Sequence, residues 1–272
     1  MVVQHNLTAM NSNRMLGITT SAQAKQTERL SSGYRINRAA DDAAGLSVSE
    51  KMRRQIRGLD QASTNAQDGV SLVQSAEGAM NEISDMLQRM NELAVKAANG
   101  TYTSTQKQYI ADEVNQLASE IERIATTTKF NDQKVLSGGK SFIFQVGNEN
   151  GETLSVTVTD MKGVATTLTK INNWKASTNT APSNFIDTVK TQMEKVASAR
   201  SALGAVQNRL EHTISNLDNI VENTTAAESR IRDTDMAKTM VTYSNNQILA
   251  QAGQAMLAQA NQTNQGVLSL LS

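Results

Sequence analysis

The chain has 272 residues with 26 basic and 26 acidic side chains, so it has no formal net charge and no electrostatic footing for nucleic acid. Cysteine is absent, which excludes disulfides and thiolate metal sites. Aromatics make up 3% and proline occurs once, so the apolar contacts must come from Ala, Leu, Ile, Val and Met packed between helices that little interrupts.

The first 24 residues carry one formal charge, Arg14. Leu7, Met10, Leu16 and Ile18 are their apolar points. No basic start followed by an apolar stretch is present, so no ordinary secretory signal is expected. A first long helix is then predicted. Asp41-Asp42 suits its start, because a carboxylate can accept from free amide groups there. Val73, Met80, Ile83, Leu87, Met90, Ala94 and Ala97 recur at steps of three, four or seven, which is one face of a helix at coiled-coil spacing. Asn99-Gly100 suits its stop. Gly45, Gly58, Gly69 and Gly78 fall in or near this helix at about 1 kcal/mol each against alanine. Close approach by a neighbouring helix or a local break would account for them equally well.

A second helix carries Ile110, Val114, Leu117, Ile121 and Ile124, with a capping box predicted from Thr105 and Gln108. Phe142, Phe144 and Val146 then alternate with Ile143 and Gln145. Beyond Gly147–Glu152, Leu154, Val156 and Val158 alternate with Ser155 and Thr157. This predicts a β-hairpin at about 141–159 around an Asn/Gly turn. Residues 160–182 read as loop. A third helix, carrying Val189, Met193, Val196, Leu203, Val206, Leu210, Ile214, Leu217 and Val221, runs from near Pro182 to near Arg230. At its usual rise this is a rod of roughly 70 Å.

From Thr239 to Ser272 there is no charged residue, and ten positions are Asn or Gln. Ile248, Leu249, Ala252, Met256, Leu257, Val267, Leu268, Leu270 and Leu271 supply apolar contacts. An unpaired charge is costly to bury, while an amide can be satisfied by a hydrogen bond. The uncharged ends therefore suit packing among copies of the same chain. A membrane-surface helix would want Lys and Arg on its polar face. A disordered amide-rich tail is the competing reading.

No catalytic, cofactor or metal site is expected. His5 and His212 are isolated, and no phosphate-binding glycine motif or zinc-binding helix motif occurs. Asp41-Asp42 and Asp233/Asp235 are better explained as helix caps than as paired catalytic carboxylates. The Gly147–Glu152 stretch does not fit a calcium loop. No segment is apolar enough to span a bilayer.

Several long stretches resemble the bacterial flagellins. Near the N-terminus stand Glu28-Arg-Leu-Ser-Ser-Gly-Tyr-Arg-Ile-Asn37 and Ala40-Asp-Asp-Ala-Ala-Gly45. Gly58-Leu-Asp-Gln-Ala-Ser-Thr-Asn-Ala-Gln-Asp-Gly69 and Leu87-Gln-Arg-Met-Asn-Glu-Leu-Ala-Val-Lys-Ala-Ala-Asn99 continue the likeness. The C-terminal half adds Leu203-Gly-Ala-Val-Gln-Asn-Arg-Leu210, Ser229-Arg-Ile-Arg-Asp-Thr-Asp-Met-Ala237 and the run Asn246–Asn261.

The resemblance implies a mainly α fold: an elongated helical bundle or coiled coil of paired N- and C-terminal helices, with a small β-hairpin. Residues 1–41 with 232–272 would form the inner tube of the filament, and 42–231 a rod-like core domain. About 20 residues separate hairpin and third helix, so this looks like a minimal flagellin without large outer domains. The implied function is a structural filament subunit for motility, with Leu7, Met10, Ile248, Leu249, Met256, Leu257, Val267 and Leu270 as assembly contacts. Implied partners are further copies of the chain, the flagellar export apparatus, a flagellin chaperone, the filament cap and hook-associated proteins. The implied location is extracellular, reached without a cleaved signal peptide. The family's recognition patch for Toll-like receptor 5 maps by position onto Gln88, Arg89, Leu93 and Glu113: a cation, an apolar knob and a carboxylate near one another. The same surface could instead pack the filament. A monomeric helical signalling ligand, an enzyme and a hook–filament junction protein are the rival readings.

Overall fold

The computed structural model describes residues 6–168, 174 and 180–271, the side chains of 180 and 264–271 excepted. In chain order the elements are α1 (Leu7–Ser32), α2 (Ala43–Ala98), α3 (Ser104–Thr127), β1 (Lys129–Phe130), β2 (Gln133–Lys134), β3 (Ser141–Gln145), β4 (Thr153–Thr157), α4 (Lys162–Leu168), α5 (Thr180–Arg232) and α6 (Met236–Leu271). The fold is mainly α, as the helical spacing predicts. It divides into two compact units. One runs up to Ile56 and resumes at Glu222, and the other spans Arg57–Val221.

The Arg57–Val221 unit holds the main core. The predicted series on α2 is buried, with Met80, Ile83, Leu87 and Met90 fully shielded. Val114 and Ile121 of α3, Leu154 and Val156 of β4, and Phe185, Val189, Val196 and Leu203 of α5 join it in one cluster. Interdigitated aliphatic side chains make up most of this core, with Trp174 and Phe185 as its fully buried rings. Pro182 lies in the first turn of α5, where a missing N–H costs no interior hydrogen bond. Leu59, Ala62 and Leu217 form a smaller apolar cluster with Ile220 and Val221.

The predicted hairpin is present. β3 and β4 pair antiparallel, with Phe142 opposite Val156 and Phe144 opposite Leu154. Phe142 and Phe144 pack against the core while Ile143 points outward, which is the period-two pattern in side-chain terms. Gly151 adopts φ +93° in the connecting turn, a conformation that a β-carbon disfavours.

Two expectations are corrected. The capping box of α3 uses Thr103 and Gln106, not Thr105 and Gln108. The Thr103 N–H donates to Gln106 Oε1 at 3.0 Å, and the Gln106 N–H donates to Thr103 Oγ1 at 3.4 Å. Both pairs share the three-residue spacing, and the extended backbone of Thr103 decides between them. Residues 160–182 are not simply loop: α4 buries Val164, Ala165 and Leu168 and packs on α3. Asp160 Oδ1 accepts from the Lys162 N–H at the start of α4 and from the Gly138 N–H, both at 3.0 Å. Trp174 is buried edge-on to Phe185 at 5.6 Å, while 169–173 and 175–179 lie outside the described residues. A second small hairpin, β1–β2, is too short for its sequence pattern to signal it. Its turn residues Asn131 and Asp132 both have positive φ, the pattern of a type I′ hairpin turn.

The four glycines have no common cause. A β-carbon at Gly58 would collide with Asn148 Oδ1 of the hairpin turn, and one at Gly69 would lie 3.3 Å from Leu210 of α5. Gly45 is crowded by Asp42 and Ile36, while Gly78 has open space.

Candidate functional site

In the unit formed by the chain's two ends, α1 lies antiparallel to α6. The Asn6 side-chain amide donates to the Ala260 carbonyl at 3.1 Å, and Leu16 packs against Gly253 ten residues further along α1. Asn6 Oδ1 also accepts from the Ala9 N–H and so caps α1. Gly33, at φ +76°, closes the helix by donating its N–H to the Arg29 carbonyl.

The segment after α1 is clasped to the start of α6. The Arg35 N–H donates to the Arg232 carbonyl at 2.7 Å, and the Thr234 N–H to the Gly33 carbonyl at 2.9 Å. The Arg232 guanidinium stacks over the Tyr34 ring at 4.7 Å and reaches Glu50 at 3.3 Å. Asp235 caps α6 by accepting from the Lys238 N–H, and Asp42 caps α2 by accepting from the Gly45 N–H. These acidic residues act as caps, as their positions in the sequence suggest.

Asp41 does something else. Its carboxylate accepts from the Asn37 and Arg38 N–H groups and pairs with Lys25 at 2.8 Å. The Lys25 contact, then the two amides, lower its pKa from 3.8 to about 2. A carboxylate with a depressed folded pKa stabilises the fold above its unfolded pKa, and that stabilisation fades as pH falls through the folded value. The clasp between Lys25 and Asn37–Asp41 is therefore expected to hold above about pH 4 and to loosen progressively towards about pH 2. Amide exchange at Asn37 and Arg38, followed against pH, should show this window, and Asp41→Asn should abolish it.

The decisive feature of this unit is what it leaves uncovered. No residue of α1 is buried, although the helix is 26 residues long. Among described residues of α6 only Ala250 is buried. Of the expected assembly residues, Leu7 is 68% exposed and Ile248 64%, and Met10, Leu249 and Met256 are also exposed. Leu257 is half-buried and so less available than its neighbours, while the side chains of Val267 and Leu270 lie outside those described. Met15, Leu16, Thr19, Leu249 and Met256 line an open groove of about 320 Å³ between the two helices. Isolated helices depend on burying an apolar face, and this pair exposes most of its apolar side chains with few charges around them.

The second candidate patch lies on α2 and α3. Arg89 Nε and Nη2 both donate to Glu113 Oε1, at 3.2 and 3.0 Å, and Nη1 donates to Glu92 at 3.1 Å. The Glu113 hydrogen bonds, then the Glu92 one, raise the already high Arg89 pKa. Gln88 is exposed beside it. The expected apolar knob is not at this surface. Leu93 is 3% exposed, because it continues the buried series Leu87, Met90, Ala94 and Ala97 on the core side of α2.

Among the described residues no helix is long and apolar enough to cross a membrane, and no three His, Asp or Glu side chains group as metal ligands.

Comparison with known proteins identifies the family. Residues 3–141 match the bacterial flagellin N-terminal helical region, and residues 186–271 match the bacterial flagellin C-terminal helical region. The chain is 52% identical to a flagellin of Halalkalibacterium halodurans and 46% identical to a flagellin of Bacillus subtilis, each over the full length of both proteins. The crystal structure of Bacillus cereus flagellin superposes with a TM-score of 0.51 at 31% identity, covering 57% of this chain and 88% of that one. Only residues 142–185 separate the two matched regions, so no large outer domain is inserted between them. Flagellins are structural proteins, not enzymes, and self-polymerise into the flagellar filament outside the cell. The chain belongs to the bacterial flagellin family, as a filament subunit without a large outer domain.

Proposed function

We propose that the charge-poor terminal helices are the segments through which this subunit joins its copies. The observation that carries this reading is α1, a 26-residue helix with no fully buried residue within its own chain. Its partner α6 carries a single charge, Lys238. Neighbouring copies supply the missing cover, with Leu7, Met10, Ile248, Leu249, Met256, Leu257, Val267 and Leu270 at the contacts. In this reading residues 1–41 and 232–272 form the inner tube of a motility filament, and 42–231 form the layer around it. The subunit leaves the cell through the flagellar export apparatus without a cleaved signal peptide, with a chaperone on α6 beforehand. It is added beneath the filament cap, onto a base of hook-associated proteins.

Electron microscopy after salt-induced polymerisation tests the reading. The unaltered chain should give filaments, and the pair Ile248→Asp with Leu249→Asp should give none, because each carboxylate would be buried unpaired. Filaments of ordinary length from the doubly charged variant would refute it.

A second reading rests on the exposed Arg89–Glu113 pair. Before assembly the same subunit is a ligand for Toll-like receptor 5, with Gln88, Arg89 and Glu113 as contacts and Leu93 holding α2 in place beneath them. A charged pair at the centre of such a contact is worth about 2 kcal/mol or more on truncation. Arg89→Ala should then weaken monomer binding to the receptor ectodomain by about thirtyfold. Unchanged affinity would remove this patch from consideration.

A further inference from the structure

The methionines of this chain divide sharply by place. Met80, Met90 and Met161 are fully buried, and Met52, Met86 and Met193 are half-buried. Met10, Met15, Met236, Met240 and Met256 stand 49–63% exposed. All five exposed ones lie on α1 or α6, so every strongly exposed thioether among the described residues falls in one compact unit. Met15 and Met256 line the same groove between those helices, with Leu16 and Leu249. The chain has no cysteine, so thioethers are its only reactive sulfur.

An unbranched thioether fits irregular apolar contacts well, which suits a surface repeatedly packed against copies of itself. The same sulfur reacts with hydroperoxides. The terminal oxygen of hydrogen peroxide passes to sulfur, the O–O bond breaks, the thioether is oxidised by two electrons and water leaves. The product is a polar, chiral sulfoxide. Its S=O is bulkier than the thioether and needs a hydrogen-bond donor if buried, so a contact shaped around the thioether loses its fit. Isolated sulfoxides on a permanently wet surface would matter little. Five on helices that must be covered would matter greatly.

We propose that Met10, Met15, Met236, Met240 and Met256 form an oxidation-sensitive set in the free subunit, and that their conversion to sulfoxides bars the subunit from the filament. The inference rests on the terminal helices being the assembly surface. It adds that the unassembled subunit is the vulnerable form and that assembly protects it.

The test treats purified monomer and finished filaments with the same dose of hydrogen peroxide and maps sulfoxides by peptide mass spectrometry. In the monomer the five methionines should oxidise about tenfold faster than Met80, Met90 and Met161. Oxidised monomer should need a critical concentration more than about tenfold higher to extend filament seeds. The variant with all five changed to leucine (M10L, M15L, M236L, M240L, M256L) should polymerise equally before and after peroxide. Reduction of oxidised wild-type monomer by methionine sulfoxide reductases of both epimer specificities should restore polymerisation, a readout independent of how well that variant folds. Oxidised wild-type monomer that polymerises at the untreated concentration overturns the proposal, as does failure of sulfoxide repair to restore assembly. Equal oxidation of the five in filament and monomer, with untreated chain still polymerising, refutes instead the reading of these helices as the assembly surface.

Discussion

A chain ending at Lys238 is expected to form no filaments at any salt concentration and to lose the α1 helix along with α6. Removal of 239–272 takes away the helix that α1 packs along, and α1 buries no residue even with α6 beside it. A lone helix of this length with little hydrophobic periodicity is marginal in water. The loss should appear as a fall in helical circular dichroism larger than the deleted residues explain, and as rapid proteolysis before Ser32. The Arg57–Val221 unit has its own core, so its thermal transition should persist. A truncated chain that keeps α1 protected would show that this helix is stabilised by something other than its partner.

The second large effect lies in that core. Leu87 is fully buried among α2, α3 and α5 side chains. Leu87→Ala should destabilise the Arg57–Val221 unit by about 2–5 kcal/mol, from lost transfer energy plus the cavity left behind. The midpoint of thermal unfolding should fall by roughly 5–15 °C. Scanning calorimetry on the unpolymerised chain is the direct check, because assembly would mask the change by mass action. A shift below a degree would mean that the site collapses around the smaller side chain.

The two large effects differ in kind. Leu87 works within one chain, so its cost appears in the monomer. The terminal helices bury so little within the chain that, as the proposed assembly surface, they should contribute chiefly on polymerisation. The five exposed methionines belong to that second class.

Much of this was legible in the sequence for identifiable reasons. The three-and-four spacing on α2, α3 and α5 is long and strict enough to define their buried faces. Phe142 to Val158 alternates at period two, which defines the hairpin and sends Ile143 outward. The absence of charge after Thr239 and the ordered run of long motifs point to the family and to self-assembly.

Tertiary structure decided where local signals were equal or weak. Thr103/Gln106 and Thr105/Gln108 share one spacing, and only backbone conformation selects the cap. A seven-residue, threonine-containing segment has too little periodicity to declare itself, and α4 forms because packing on α3 buries Val164 and Leu168. Leu93 stands one turn from Arg89, yet its side chain joins the core while Arg89 reaches across the surface to Glu113. Periodicity says which residues are apolar and how they recur. Which of them find cover inside the chain, and which wait for another copy, depends on the neighbours that folding brings, and only three dimensions supply those.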